Sequence, residues 1–250
     1  MTPRRLITRD WLEHLGQGPI GIGLDLATTE KKTSNPSSLT VSQSDGKLVM
    51  QRLIVRWKTS DDRITKAVVR AVFDDLVFAR KKARAMSFDA SSEAFLGAQL
   101  IREFTKFAPI RPIKSGEVVE WKGEKLTYKA LLGNLYSGLF EDALIGIPEG
   151  AWIIEDHRLV MQEKGSFYAN LGPNGEHGDT FDSGKLSYWS LVRTGRAEIH
   201  AADITQAGKA GQVAKGLKNW LAKKCGVALP NSQGSSPFVR TPQSSRRLGS

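Results

Sequence analysis

A single cysteine, Cys225, stands in the 250 residues. One thiol excludes an internal disulfide and a cysteine-based zinc site, and it fits a reducing, intracellular compartment. Long apolar runs are also missing. None approaches the roughly 20 residues that cross a bilayer, so no membrane partner is expected. Residues 1–10 include Arg4, Arg5 and Arg9 but no apolar segment behind them, which argues against a secretory signal. A phosphate-cradling loop, G-x-x-x-x-G-K-[ST], is absent too. Gly46-Lys47, Gly184-Lys185 and Gly208-Lys209 are followed by neither Ser nor Thr. Acidic residues are outnumbered: Lys and Arg total 36 against 26 Asp and Glu, a net charge of +10. Such an excess suits a phosphate backbone.

What is present suffices for a packed core, with 40% hydrophobic residues. In Pro19–Ala27, Ile20, Ile22, Leu24 and Leu26 alternate with Gly21, Gly23, Asp25 and Ala27, the period of a strand. Leu39–Gln43 and Lys47–Trp57 read as two further strands, joined at the turn dipeptide Asp45-Gly46. A helix follows over about Asp61–Lys82, with Ile64, Val68, Val72 and Leu76 as its apolar stripe and Thr59 or Ser60 as its cap. Ala85–Asp89 reads as a fourth strand. Ser92–Lys106 reads as a second helix, with Phe95, Leu96, Leu100, Ile101 and Phe104 inward. The order is β-β-β-α-β-α, an α/β class with a mixed sheet.

Beyond this lie a hairpin over Glu117–Tyr128 turning at Lys122-Gly123 and a helix over Tyr128–Asp142. His157–Gly165 begins a helix or a strand, and Ser166–Leu171 reads as a strand. A helix is expected from Asp182 to Arg193, and another over Gln212–Lys224. Past Pro230 the chain is Ser, Gln, Pro and Arg. The expected division is one folded domain over 1–226 and a flexible basic tail over 227–250.

Three acidic sites stand out. Asp25 lies inside a strand where Asp is costly to bury unpaired, and its face, with Gly21 and Gly23, leaves space for a ligand. Asp89 ends a strand before a helix. His177, Asp179 and Asp182 fall in the run HGDTFD. Each alone has a plainer reading, as an ion-paired, capping or turn residue. Together, Asp25, Asp89 and Asp179 form a set of hard oxygen ligands suited to Mg²⁺ or Mn²⁺, and two such ions can activate water against a phosphodiester. His177 is a candidate auxiliary group. Arg80, Lys81, Lys82 and Arg84, just ahead of the Asp89 strand, are candidate phosphate contacts, as are Lys122, Lys125 and Lys129 on the hairpin interleaved with Trp121 and Tyr128. Lys215, Lys218, Lys223 and Lys224 surround Trp220 late in the chain. His14, His157 and His200 carry no signal.

The runs GIGLDLA with Asp25, MSFDASSEAFLGAQL with Asp89, HGDTFDSGKLSYWSL with Asp179, and NLYSGLFEDALIGIPEGAWIIEDHRLV over Asn134–Val160 occur in an ordered series. That series resembles the C-terminal nuclease domain of the large terminase subunit of tailed bacteriophages. The resemblance implies a ribonuclease-H-like fold and a Mg²⁺- or Mn²⁺-dependent endonuclease that cuts double-stranded concatemeric DNA during genome packaging. Asp25, Asp89 and Asp179 then bind the metal, and Asp182 falls on a position often acidic in the family. It implies DNA, a packaging ATPase, the portal and the small terminase subunit as partners, in the cytoplasm of a bacterial host. Without a phosphate loop the chain is an excised domain or acts beside a separate ATPase. Two alternatives stay open: a non-catalytic DNA-binding or assembly module, and another nuclease of this fold such as a junction resolvase.

Overall fold

The computed structural model describes residues 7–28, 35–91, 93–163, 166–172 and 177–192. The expected helix over Gln212–Lys224, its lysines, Trp220, His200 and the tail 227–250 lie outside the described residues. No helix among those described is long and apolar enough to cross a membrane.

The opening meander forms as the alternation predicts. Strands β1 (Ile20–Asp25), β2 (Ser37–Asp45) and β3 (Leu48–Trp57) are successive antiparallel neighbours. Gly46, with φ +62°, supplies the left-handed turn between β2 and β3. Helix α1 (Asp62–Phe78) then returns the chain so that β4 (Ala83–Asp89) lies parallel to β1. Helix α2 (Ala94–Phe104) leads to β5 (Ile110–Ile113), parallel to β4. A two-residue strand, β8 (Ile145–Gly146), pairs with β3. The sheet order is β5-β4-β1-β2-β3-β8. The fold is the expected ribonuclease-H-like one, a mixed sheet flanked by helices.

One sheet face is a conventional apolar core. Ile20, Ile22 and Leu24 of β1, Leu39 and Val41 of β2, and Met86 and Phe88 of β4 point into it. From α1, Val68, Val69, Val72, Phe73 and Leu76 cover them; from α2, Leu96, Leu100 and Phe104 do. Several expectations shift here. Helix α1 is capped by Asp61, which accepts from the Arg63 amide, and it stops before Lys82 because Arg80 turns into positive φ. Ile64 is exposed, and Thr65 takes its place inward. On α2, Phe95 is 76% exposed and Ile101 also reaches solvent, because the short helix buries only the stripe of Leu96, Gly97, Leu100 and Phe104.

The remaining elements follow as a hairpin, β6 (Val118–Trp121) and β7 (Glu124–Thr127), then α3 (Tyr128–Glu141), α4 (Ala151–Arg158), a second hairpin of β9 (Val160–Glu163) and β10 (Ser166–Ala169), and α5 (Asp179–Val192). The Lys122-Gly123 turn is as expected, with both residues at positive φ. Helix α4 is an element that the mixed run AWIIEDHR does not announce. Helix α5 begins at Asp179, three residues before the expected start.

Helix α5 crosses the second sheet face, over β1, β2 and β4, and is buried on nearly every side. The contact surfaces are small and polar. The Ser183 hydroxyl is hydrogen-bonded to those of Ser38 (2.9 Å) and Thr40 (2.7 Å), and Ser187 to Ser42 (2.6 Å). Ser190 donates to the Ile22 carbonyl and meets the Ser87 hydroxyl, each at 2.8 Å. Short side chains bring the helix close, and mutual hydrogen bonding satisfies their buried hydroxyls. Gly21 and Gly23 complete the fit: a Cβ on Gly21 would lie 2.4 Å from the Ser187 carbonyl oxygen, and one on Gly23 2.0 Å from that of Ser183. The glycine face of β1 is therefore filled by α5 rather than open to a ligand, as the alternation alone had suggested. On the helix's outer side Gly184 faces the Tyr136 hydroxyl of α3.

Candidate metal centre and nucleic-acid interface

Two carboxylates end adjacent strands. Leu24 of β1 pairs with Phe88 of β4 in parallel register, so Asp25 and Asp89 stand side by side one step further on. Alternation places both on the α5 face, in line with Gly23 and Ser87. Asp89 is held there by two bonds: its Oδ1 accepts from the Ser91 amide (2.8 Å), its Oδ2 from the Ser115 hydroxyl (2.6 Å). Its turn character is real, but it does not cap α2, whose N-cap residue is Glu93. Glu93 in turn accepts from the Thr28 hydroxyl at 2.5 Å, which ties the end of β1 to the start of α2.

The first turn of α5 brings two more acids, Asp179 and Asp182, to the same end of the sheet. Burial pushes the Asp25 carboxyl well above its usual range. Asp182 and then Asp179 push it further, Lys185 partly offsets them, and Asp89 adds to the rise. Asp182 is thus the acid on α5 that Asp25 feels most strongly. Asp179 is 2% exposed, and its Oδ2 has no hydrogen-bond partner among the described residues. Burial, then the nearby charge of Asp156, raises its pKa to about 7; Asp182 adds to this, while the His177 amide and Arg56 oppose it. His177 itself is half-buried at the entrance to α5.

Asp156 of α4 and Lys185 of α5 are not among the site residues expected from the sequence. Asp156, 2% exposed, accepts from the amides of Gly178 (3.3 Å) and Thr180 (2.7 Å) and from the Thr180 hydroxyl (2.5 Å). It therefore caps α5 from another helix, with Arg56 3.7 Å away as its counter-charge. A second chain of bonds backs this cap. Gln51 donates to the Tyr136 hydroxyl, which lies 3.2 Å from Nε2 of His157. Nδ1 of His157 faces the Ile153 carbonyl at 2.9 Å. A carbonyl only accepts, so Nδ1 carries the proton and Nε2 accepts from Tyr136. Burial holds the His157 pKa down, consistent with the neutral ring. His157 also lies 3.0 Å from the Thr180 hydroxyl, so a histidine with no sequence signal helps fix the start of α5.

Lys185 is buried, its side chain 5% exposed, and its ammonium contacts Asp182 one turn back. The acid cluster thus holds a cation of its own. Among the described residues no three His, Cys, Asp or Glu side chains are placed to grip a single metal ion. The donor chemistry nevertheless fits one: hard carboxylates crowd an end of the sheet where one buried oxygen lacks a partner among the described residues.

The basic candidates divide. Arg80, Lys81, Lys82 and Arg84 precede Asp89 closely in sequence but sit at the opposite end of β4, roughly 20 Å away at about 3.3 Å per residue. Two of them have structural partners. Lys81 donates to the Gly16 carbonyl and to Gln17, and Arg84 to the Leu191 carbonyl. The β6–β7 hairpin instead starts from the acidic end, because the Lys129 amide bonds to the carbonyl of Ser115, the residue that holds Asp89. Lys125 and Lys129 are exposed there, and the Lys122 ammonium lies 5.7 Å from the Trp121 ring. Trp121 and Tyr128 do not stand free between these lysines. Both pack edge-on against Trp189 of α5, at 6.0 and 6.1 Å, and so dock the hairpin.

No protein-family model matches the chain, and no curated protein matches it in sequence. Among solved structures it is similar to the human cytomegalovirus terminase nuclease domain, at 10% identity over 69% of this chain and 82% of that one, with a TM-score of 0.46. The nuclease domain of the large terminase g2p of bacteriophage SPP1 with bound Mn is 15% identical, over 74% and 92%, with a TM-score of 0.42. The large terminase of a thermophilic bacteriophage is 13% identical over 68% of this chain, at a TM-score of 0.45; the match spans 38% of that longer protein.

Proposed function

We propose that the chain is a metal-dependent endonuclease that cuts double-stranded viral DNA concatemers during genome packaging. The observation that carries the reading is the acidic end of the sheet. Two carboxylates end neighbouring parallel strands beneath the first turn of a buried helix that bears two more. Asp25, Asp89, Asp179 and Asp182 are the carboxylates that would hold Mg²⁺ or Mn²⁺, with His177 as an auxiliary group. The metal supplies an activated water and shields the charge on phosphate when bound. Crowded carboxylates whose protons are held above their usual range are the electrostatic signature of a site that needs a cation. The phosphate backbone would lie along Lys122, Lys125 and Lys129, which start from the same end. The net charge of +10 supports binding without sequence readout. The packaging setting, with its ATPase, portal and small-subunit partners in a bacterial host's cytoplasm, rests on the motif resemblance.

The test is cleavage of plasmid with Mg²⁺ or Mn²⁺ by the parent and by Asp25→Ala. The parent should nick and linearise the plasmid only with metal, and the variant should lose at least two orders of magnitude in rate. Equal cleavage by both would sink the reading. One observation favours a second reading, a non-catalytic DNA-binding module: Lys185 already neutralises part of the cluster. That reading predicts salt-sensitive DNA binding with no metal-stimulated cutting. A preference for branched over linear duplex would point to a junction resolvase.

A further inference from the structure

We propose that Lys185 is the resident second cation of the acid cluster: its ammonium takes the place beside Asp182 that a second divalent ion would fill, so that the centre works with one divalent ion. This rests on the metal-centre reading above and departs from the two ions expected from the sequence.

A two-ion centre flanks each metal with carboxylates and shares at least one between them, with the ions about 4 Å apart. Asp182 adjoins Ser183, whose hydroxyl bonds that of Ser38, the register partner of Asp25 on β2. Its Oδ1 is already taken by Lys185. That lysine cannot simply swing away. Its side chain is 5% exposed, and Asp182 is its one hydrogen-bond partner among the described residues. Lysines are almost never buried without a partner, and losing that partner leaves an uncompensated charge in a poorly hydrated place. The backbone offers no escape either. The Lys185 turn is fixed on the sheet side by the Ser183 and Ser187 hydroxyl bonds, and by the close approach of Gly23. Gly184 is fixed on the other side, against Tyr136. Lys185 therefore comes with the fold, as a fixed point charge among Asp182 and its neighbours. An ammonium donates hydrogen bonds but coordinates no water. In that position it would neutralise carboxylate charge beside Asp182, and a divalent ion held by the remaining acids would supply the water-activating chemistry when bound.

The test counts Mn²⁺ ions. Wild type, Lys185→Met and Lys185→Arg are titrated with Mn²⁺ by calorimetry and followed by electron paramagnetic resonance. Each is measured alone and with a duplex carrying phosphorothioate linkages. Wild type should bind one ion per chain in both states, with a mononuclear spectrum. Lys185→Arg, which keeps the charge, should do the same. Lys185→Met should take a second ion and show the spectrum of a coupled pair. Two ions in the wild type, with or without duplex, overturn the proposal whatever the variants do. So does a Lys185→Met protein that is folded by circular dichroism and still binds one. A wild type that takes no Mn²⁺ overturns both this assignment and the metal-centre reading beneath it.

Discussion

Replacing Gly23 with Ala adds a single methyl group at the closest point between sheet and helix. Its Cβ would lie 2.0 Å from the Ser183 carbonyl oxygen, 2.2 Å from the Ser187 amide nitrogen and 2.8 Å from the Leu186 carbonyl carbon. All three are backbone atoms of one buried helix, so no side chain can rotate away. To regain an ordinary contact of 3.4 Å the helix must retreat by about 1.5 Å. Overpacking in a dense core costs about 1–3 kcal/mol, and an unyielding backbone puts this case near 3. In a domain of this size that lowers the melting temperature by about 6–12 °C. The retreat also draws Asp182 away from Asp25, and a misplacement near 1 Å at reacting groups costs about a hundredfold in rate. The assay pairs urea unfolding, followed by circular dichroism, with the initial rate of plasmid cleavage. Gly138→Ala is the control. It sits inside α3 with nothing within 4 Å of a new Cβ, so it should gain about 0.5–1 kcal/mol. If Gly23→Ala unfolds within about 0.5 kcal/mol of wild type, the close packing of α5 on β1 is not what holds the site together.

Asp156→Asn should cost about 2 kcal/mol by weakening a charged cap and removing a counter-charge of Arg56, and it should lower the pKa of Asp179, read by the pH dependence of its carboxyl NMR signal. The folded pKa of Asp179, about 7, exceeds the roughly 3.9 of the unfolded chain. The folded state thus holds extra proton in between, and metal-free stability contributed by this group falls as pH rises from about 4 to about 7. Asp25, also raised, acts in the same direction. Melting at pH 5.5 and pH 8 should show that decline, Asp179→Asn should flatten it, and Mn²⁺ should reverse it at pH 8. Changing Lys122, Lys125 and Lys129 together to Gln should reduce the log–log salt slope of duplex binding by up to about three, measured by fluorescence anisotropy.

Much of the scaffold was legible because strand period and turn chemistry are local. The alternation around Asp25 and Asp89 gave both their strands and their shared face. The β-β-β-α-β order then made β1 and β4 neighbours, as they are. What lay between those strands and α5 was not legible. Gly21 and Gly23 look the same in a sequence whether a ligand or a helix fills the space. The start of α5 was misjudged for a related reason. Asp179 looks like a capping residue, but the cap comes from Asp156, more than twenty positions earlier. That frees Asp179 to enter the first helical turn. Lys185 stayed hidden because a lysine three residues after an aspartate usually marks a solvated helix face. Only the burial of nearly every side of α5 makes it part of the cluster. The Arg80–Arg84 group shows the opposite effect, since nearness in sequence to Asp89 is separation by the length of a strand.

The central claim is that the acidic end of the sheet is a divalent-metal centre. Anomalous diffraction from a crystal soaked in Mn²⁺ addresses it directly. The account predicts a peak bonded to oxygens of Asp25 and at least one of Asp89, Asp179 and Asp182, at roughly 2.0–2.3 Å. A well-occupied soak with no peak at this end of the sheet, or with peaks only elsewhere, would contradict it.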